Sequence, residues 1–242
     1  MKLLIIRHGE PDYRHDSLTE KGRREAKCLA DHLCGQDLTY IYTSPYGRAK
    51  ETASYTLEKL GLEAEELPWL KEFDKKIRRP DDRLLKHIAW DWLPQDWTKD
   101  PRLYDKDRWM ENERMAAAKI GEEYRQVTEG LDALLAKHGY VREGGYYRAE
   151  KPNHDTIALF CHFGVESVML SHLWGTSPAV VWQNTCARTS SVTTLVTEER
   201  RRGIAAFRML AFGETTHLYA GGEEPSFAAR FCECHDDDTR HD

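Results

Sequence analysis

The stretch LLIIRHGE, at residues 3–10, determines how the rest of the chain is interpreted. Four apolar residues followed at once by arginine, histidine and glycine are typical of a buried strand that ends at a polar edge. The stretch DTIALFCHFG, at residues 155–164, repeats this form, with His162 in the place that His8 occupies in the first. Because ligands bind beyond the carboxyl ends of strands in open α/β sheets, we expect both histidines to face one crevice.

A third predicted strand, at residues 39–45, ends at Ser44 and is followed by Arg48 in the next helix. The start of a helix offers free N–H groups, and guanidinium forks such as those of Arg7 and Arg48 match phosphate oxygens. Ser44 itself either caps the helix or contacts the ligand. Two arginines and two histidines at one place are unfavourable in a core, and they indicate a site for a phosphate.

Alternating strands and helices continue along the chain and predict an α/β fold. Helices are expected at about residues 17–35, 46–61, 120–139 and 164–175, and further strands at 63–67 and, as a pair joined by a charged turn, at 190–213. Ser17 and Glu20 match a capping box for the first helix, and Gly144 with Gly145 indicates a loop. Continuous apolar strands favour a three-layer α/β/α sandwich with a mostly parallel central sheet, in a single domain over residues 1–242.

The segment at about residues 74–111 has no clear period and contains four tryptophans. We interpret it as an insertion or cap, which either closes over a substrate as a lid or covers an edge of the sheet. The basic residues at its start, which are Lys75, Lys76, Arg78 and Arg79, either select a second acidic group of the substrate or form a solvated face.

The polar tail at residues 232–242 is expected to be loose. Its Cys232, Cys234 and His235 suggest a metal site at first sight. Their spacing is too tight for a usual zinc site, and we expect no metal there.

The composition excludes several classes of protein. A formal net charge of −6 over 242 residues leaves no chain-wide basic surface for nucleic acid. No apolar run approaches the ~18 residues that span a bilayer, which argues against a membrane protein. The start of the chain lacks the pattern of a signal peptide, and the six cysteines lack the spacing of a disulfide framework. We therefore expect a cytoplasmic protein with reduced thiols, and the sequence leaves its oligomeric state open.

Taken together, the motifs resemble the histidine phosphatase superfamily, in the branch that contains the cofactor-dependent phosphoglycerate mutases. The matching residues are Arg7-His8-Gly9-Glu10, Leu18-Thr19-Glu20 with Gly22 and Ala26, Ser44-Pro45 with Arg48, Glu51-Thr52-Ala53, and His162-Phe163-Gly164. They follow the order of the family and cover most of the chain outside the 74–111 segment and the tail. The resemblance implies a phosphoglycerate mutase-like fold.

The resemblance also implies a role for each site residue. His8 is the nucleophile that becomes a phosphohistidine. Glu72, shortly after the predicted strand at residues 63–67, is the proton donor to the leaving group, with Asp74 and Glu10 as the alternatives. The residues that bind the phosphate oxygens are Arg7, Arg48 and His162. No metal and no other cofactor is implied, because the cationic side chains neutralise the phosphate.

Two departures from the family bear on the activity. The loop PDYRHDS, at residues 11–17, is shorter than that of the mutases, and Phe163 stands where the acid phosphatase and phytase branch has an aspartate. The short loop favours a metal-independent phosphomonoesterase that acts through a phosphohistidine on a small phosphorylated metabolite, and Phe163 places the chain in the mutase-like branch. The alternatives are a phosphoglycerate-mutase-type phosphotransferase and a phosphate-binding regulatory protein without turnover. Thr189 and Ser190 are interpreted as structural.

Overall fold

The computed structural model describes residues 1–82, 84–228 and 233–236. Its strands are β1 (Lys2–Arg7), β2 (Pro11–Asp12), β3 (Ser17–Leu18), β4 (Tyr40–Thr43), β5 (Glu65–Glu66), β6 (Lys76–Ile77), β7 (His87–Ile88), β8 (Tyr140–Glu143), β9 (Tyr146–Ala149), β10 (Thr156–Cys161), β11 (Val192–Arg201) and β12 (Ile204–Glu214). Its helices are α1 (Glu20–Leu33), α2 (Gly47–Leu60), α3 (Pro94–Trp97), α4 (Glu113–Ala117), α5 (Ile120–Lys137), α6 (Phe163–Trp174), α7 (Pro178–Asn184) and α8 (Thr216–Ala220). Short 3-10 turns cover Pro68–Leu70, Pro101–Tyr104 and Trp109–Glu111.

The central sheet of the described residues has eight strands in the order β5-β4-β10-β1-β11-β12-β9-β8. The four strands from β5 to β1 pair in parallel, and every pair from β1 outward to β8 is antiparallel. The α/β class is therefore as predicted, and the sheet is mixed. Two of the antiparallel pairs, β8–β9 and β11–β12, follow from short connections, since strands joined by a tight turn pair only in the antiparallel sense, whereas β1–β11 and β12–β9 join distant parts of the chain.

The two faces of β1 show the layered architecture. Leu3 and Ile5 belong to a hydrophobic cluster that includes residues of α5 and α6. Leu4 and Ile6 belong to a second cluster, with residues of α1 and α2. Because side chains alternate along a strand, β1 is buried on both faces, and helices cover the sheet on either side. The predicted three-layer arrangement is therefore present.

The predicted helices and strands are found, with differences at their ends and connections. Thr19 caps α1 and accepts from the Gly22 amide at 3.0 Å, whereas Ser17 of the predicted capping box lies in β3. Ser17 is held there because β3 pairs with β2, which the sequence did not indicate. The predicted loop at Gly144 is the turn of the β8–β9 hairpin, and Gly144 supplies the positive φ of 58° that such a turn needs.

The segment predicted as an insertion at about residues 74–111 is built from short elements. These are the β6–β7 hairpin, α3 and two of the 3-10 turns. Trp97 and Trp109 are buried in the same hydrophobic cluster as Leu3 and Ile5 of β1. This packing favours a cover over the core more than a lid that opens freely. Of the predicted loose tail at 232–242, including Cys232, all but residues 233–236 lies outside the described residues.

Within the described part of the chain, no helix combines the length and the apolar character needed to cross a bilayer.

Candidate active site

His8 lies directly after β1 and is almost completely buried, with 1% of its surface exposed. Its Nδ1–H donates to the carbonyl oxygen of Gly9 at 2.7 Å. A carbonyl only accepts, so this contact assigns the ring proton to Nδ1 and leaves the lone pair on Nε2. Burial, followed by the charges of Arg7 and Arg48, holds the pKa of His8 well below its usual 6.5. The ring is therefore neutral and nucleophilic near pH 7.

Glycine is needed beside His8, because the chain passes very close to α1 there. A Cβ on Gly9 would lie 2.7 Å from the carbonyl oxygen of Gly22. The amide of Gly9 donates to Thr52 Oγ1 at 3.0 Å, and that hydroxyl donates to the Arg48 carbonyl at 2.7 Å. The backbone after β1 is thus tied to α2, the helix that carries Arg48.

His162 lies directly after β10 and immediately before α6. Its ring centroid is 5.1 Å from that of His8, and β10 is the parallel neighbour of β1 in the sheet. Its Nε2 is 2.7 Å from Ser44 Oγ, while its buried Nδ1 has no hydrogen-bond partner among the described residues. Burial, then the charges of His8, Arg48 and Arg7, hold the pKa of His162 well below 6.5.

Ser44, for which two roles were open, contacts the second histidine. Its Oγ also accepts from the amide of Tyr46 at 3.2 Å. The residue that caps α2 is Tyr46, so Ser44 does not cap this helix in the usual sense. The Ser44 hydroxyl instead orients the imidazole of His162.

Arg7 and Arg48 are both buried beside the two histidines, since both lower the pKa of each ring. Arg7 Nη1 donates to the Ala187 carbonyl at 2.6 Å, and Arg48 Nη1 donates to Asp16 Oδ1 at 2.6 Å. The Nε of each arginine is buried without a hydrogen-bond partner in the described part of the structure. Each guanidinium is thus oriented by one protein contact and keeps further donors for an anion.

Asp16 is a site residue that the sequence analysis missed. Its Oδ2 accepts from the amide of Gly47 at 2.7 Å, and its Oδ1 receives the Arg48 contact, so one carboxylate fixes both the start of α2 and the arginine. Asp16 has a φ of 47°, in the left-handed region. Aspartate is one of the few residues that tolerate this conformation. Its place in a short polar loop was the feature of the sequence that could have indicated its role.

Glu72 contacts the first turn of α6. Its Oε1 accepts from the amides of Phe73, at 2.8 Å, and Val165, at 3.2 Å. Burial raises the pKa of Glu72, against the opposing charges of Arg7 and Arg48. A carboxyl with a raised pKa is suited to donating a proton near neutral pH.

The two alternative proton donors are placed differently. Glu10 is engaged on both oxygens, by the hydroxyl of Thr19 at 2.7 Å and by the hydroxyl of Ser226. Asp74 is exposed to solvent. Of the three carboxyls, Glu72 alone makes a contact to the helix that begins beside His162.

Thr189 and Ser190 hydrogen-bond to residues outside this cluster. Thr189 Oγ1 donates to the buried Glu25 at 3.0 Å, and Ser190 Oγ is 3.1 Å from His217 Nε2. Glu25 also accepts from the amide of Glu10 at 2.8 Å, so it stabilises the loop after His8.

The assembled site can bind a tetrahedral oxyanion. Two guanidinium groups and two imidazoles surround one point at the carboxyl ends of β1 and β10, and a carboxyl lies beside them. The N–H groups of the two arginines that make no hydrogen bond to the described residues can donate to the oxygens of an anion. In the described residues, no group of three or more His, Cys, Asp or Glu side chains is arranged to hold a metal ion.

Comparison with known proteins gives matches over most of the chain. A sequence model of the histidine phosphatase superfamily (branch 1) matches residues 3–209. Phosphoserine phosphatase 1 of Hydrogenobacter thermophilus is 25% identical over 231 residues, which cover 90% of this chain and 94% of that protein. A probable phosphoglycerate mutase GpmB of Serratia proteamaculans is 27% identical, over 57% of this chain and 70% of its own length.

Solved structures share the fold. A phosphoserine phosphatase from Entamoeba histolytica, in complex with phosphoserine, aligns with a TM-score of 0.55 and 16% identity, covering 90% of this chain and 98% of that one. A mycobacterial glucosyl-3-phosphoglycerate phosphatase aligns with a TM-score of 0.56 and 18% identity, covering 88% of this chain and 98% of that one. At these identities the likeness concerns the fold alone.

Proposed function

We infer, from the premise that this chain belongs to the histidine phosphatase superfamily, that it hydrolyses phosphomonoesters of small metabolites. The observation that carries this proposal is the convergence of His8, His162, Arg7 and Arg48 around one point, with the Glu72 carboxyl beside it. The four cationic or imidazole groups supply the charge that a phosphoryl group needs, so the proposed reaction requires no metal.

In the first proposed step, His8 Nε2 attacks phosphorus and the ester P–O bond breaks. The Nδ1–H contact to Gly9 holds the ring in the tautomer that leaves Nε2 free to attack. Glu72 gives its proton to the leaving oxygen, so an alcohol departs and a phosphohistidine remains. Arg7, Arg48 and His162 stabilise the charge on the equatorial oxygens, a contribution worth on the order of 10²–10³ in rate for each preorganised donor.

In the second proposed step, water attacks the phosphohistidine. The Glu72 carboxylate takes a proton from this water, the P–N bond breaks, and inorganic phosphate leaves. His8 and Glu72 return to their starting protonation states, so the cycle balances. The raised pKa of Glu72 suits both directions of proton transfer.

Phosphoserine is the first substrate to test. It is the substrate named for the relative that aligns over 90% of this chain, the phosphoserine phosphatase 1 of Hydrogenobacter thermophilus. The cytoplasm remains the proposed location, in keeping with the spacing of the cysteines.

The decisive assay measures phosphate release from phosphoserine and from an aryl phosphate in the presence of EDTA. We expect activity that resists the chelator and is inhibited by vanadate, and a His8→Ala variant without activity. A His154→Ala variant, which removes an exposed histidine, is the matched control and should retain activity. A requirement for added divalent metal, or full activity of His8→Ala, would refute the mechanism.

The role of Glu72 has its own test. Glu72→Gln should slow the hydrolysis of alkyl phosphates, which have poor leaving groups, much more than that of activated aryl phosphates. Asp74→Asn is the matched control at the neighbouring exposed carboxyl and should slow neither. Equal slowing of both substrates by Glu72→Gln would remove it as the acid.

A mutase activity is the second candidate, supported by the GpmB relatives. It predicts that 3-phosphoglycerate is converted to 2-phosphoglycerate faster than it is hydrolysed to inorganic phosphate. Release of inorganic phosphate as the main product would decide for the phosphatase.

A further inference from the structure

A cavity of about 460 Å³ lies between the β6–β7 hairpin of the 74–111 segment, here called the cap, and α4, which follows this segment. Its lining residues are Lys76, Ile77, Arg78, Lys86, Glu113, Arg114, Ala117 and Ala118. None of them belongs to the phosphate site described above. The volume lies within the range of pockets that hold small molecules.

The charges of this lining are unusual for this chain. Four cations face one carboxylate in the cavity, whereas the chain as a whole has a net charge of −6. Like charges brought together repel each other, so their convergence has a cost unless an anion offsets it. Cations from three segments contribute, namely β6, the residue before β7, and α4.

In the part of the cap that the structure describes, five other cations form ion pairs with carboxylates. Arg79 pairs with Asp81 and Asp91, and the further pairs are Lys99–Asp96, Arg102–Asp100, Lys106–Asp107 and Arg108–Glu111. By contrast, Lys76, Lys86 and Arg114 form no ion pair with a carboxylate of the described residues. The cavity therefore differs from the ordinary charged surface around it.

The backbone holds these cations in place. Arg114 Nη1 donates to the Arg78 carbonyl at 2.7 Å, which joins α4 to the end of β6. β6 and β7 are paired, and this brings Lys76 and Lys86 to the same hairpin. Ile77 is buried and, with the alanines of α4, gives the cavity an apolar side.

We propose that this cavity is a binding site for a small organic anion with a diphosphate group, separate from the phosphate site. The three cations without an ion pair to a described carboxylate, which are Lys76, Lys86 and Arg114, suit a diphosphate better than a single phosphate, and the apolar side accommodates the organic part. Neither the fold nor the reaction at His8 requires such a ligand.

The hairpin connects the cavity to the phosphate site. Glu72 and Phe73 precede β6, and Trp90 follows β7. Trp90 Nε1 donates to the Phe73 carbonyl at 3.3 Å, so both ends of the hairpin meet beside Glu72. A ligand held between the hairpin and α4 would therefore stiffen the segment that supports the proton donor.

The test is a calorimetric titration of inorganic pyrophosphate, without metal, into the 242-residue protein saturated with orthovanadate. The vanadate occupies the phosphate site, so the titration reports other sites. The variant is Lys76→Gln/Lys86→Gln, which keeps the contact between Arg114 and Arg78. The control is Lys99→Gln/Lys106→Gln, which removes the same charge from exposed lysines of the cap.

We expect wild-type protein and the control to bind pyrophosphate in the presence of vanadate, and the variant to bind about tenfold more weakly or worse. The kcat and KM of the variant for phosphoserine or an aryl phosphate should match those of the wild type. Absence of vanadate-resistant binding, or equal weakening by both double substitutions, would overturn the proposal. A rise in KM confined to the variant would also overturn it, because the cavity would then be part of the substrate site. The binding readout does not depend on turnover, so the proposed hydrolysis stands or fails independently.

Discussion

Replacement of Glu166 by glutamine is expected to stabilise the protein at alkaline pH and not at acidic pH. Glu166 lies on α6, one turn after His162, with 1% of its surface exposed. Among the described residues neither carboxyl oxygen makes a hydrogen bond of good geometry, and the side chain of Thr193 interacts with the carboxyl only weakly. Burial raises its pKa from the usual 4.5 to about 7, against the opposing effects of Thr193 and Arg7, and the charge of Glu72 adds to the rise.

The sign and size of the effect follow from this pKa. Between pH 4.5 and about 7, the folded protein holds a proton on Glu166 that the unfolded chain has lost, so stability falls as pH rises. A difference of about 2.5 pKa units at ~1.4 kcal/mol each corresponds to about 3 kcal/mol at full ionisation. Glutamine has nearly the same shape and no charge in either state, so Glu166→Gln removes this cost.

The assay is urea unfolding of wild type and Glu166→Gln at pH 5 and pH 8, with the difference in free energy of unfolding compared between the two pH values. We expect this difference to shift by about 2.5 kcal/mol in favour of the variant at pH 8, because a small part of the effect is already present at pH 5. Glu129→Gln, which removes an exposed carboxylate on α5, is the control and should show no comparable shift. A difference that is the same at both pH values would refute the reasoning.

Three further predictions concern the site. Gly164→Ala would place a Cβ 2.6 Å from Glu72 Oε1. We therefore expect kcat for alkyl phosphates to fall about tenfold in steady-state assays. An unchanged kcat would contradict the close approach. Asp16→Asn weakens the 2.6 Å contact to Arg48. KM for an aryl phosphate should then rise about tenfold, with little change in the temperature of thermal unfolding. An unchanged KM would show that the arginine does not need this partner. Only the neutral ring of His8 can attack phosphorus, and its pKa is lowered, so kcat/KM should decline with falling pH only well below pH 6.5. A midpoint at or above pH 6.5 in the profile of kcat/KM against pH would oppose the assignment of His8 as the nucleophile.

The meeting of His8, His162 and Arg48 at one place was predictable because a short stretch of sequence around each residue marks it as following a strand. His8 and His162 each follow an apolar run, and Arg48 follows a third, so the general rule for strand ends brings them together. That rule depends only on the parallel pairing of β1, β10 and β4, which the structure contains. Glu72 was placed through the family resemblance, since its sequence context alone did not distinguish it from Asp74.

Contacts between distant segments were not predictable. Asp16 reaches Arg48 across 32 residues, and no periodicity marks a loop residue for such a partner. The N-cap was assigned to Ser17 because the pattern fits, yet pairing of β3 with β2 shifts the cap to Thr19. The antiparallel half of the sheet was underestimated for a similar reason, since the β8–β9 hairpin was interpreted as a loop.

The position of the two histidines on adjacent strands has a consequence for engineering. Six consecutive residue pairs, from Lys2 with Thr156 to Arg7 with Cys161, join β1 to β10, so main-chain bonding sets the separation of the rings. The segment at about residues 74–111 is outside this ladder. A graft that replaces the rest of this segment but retains the buried Trp97 and Trp109 should therefore leave the spacing of the two histidines unchanged, so the surroundings of the site can be redesigned apart from the reactive pair.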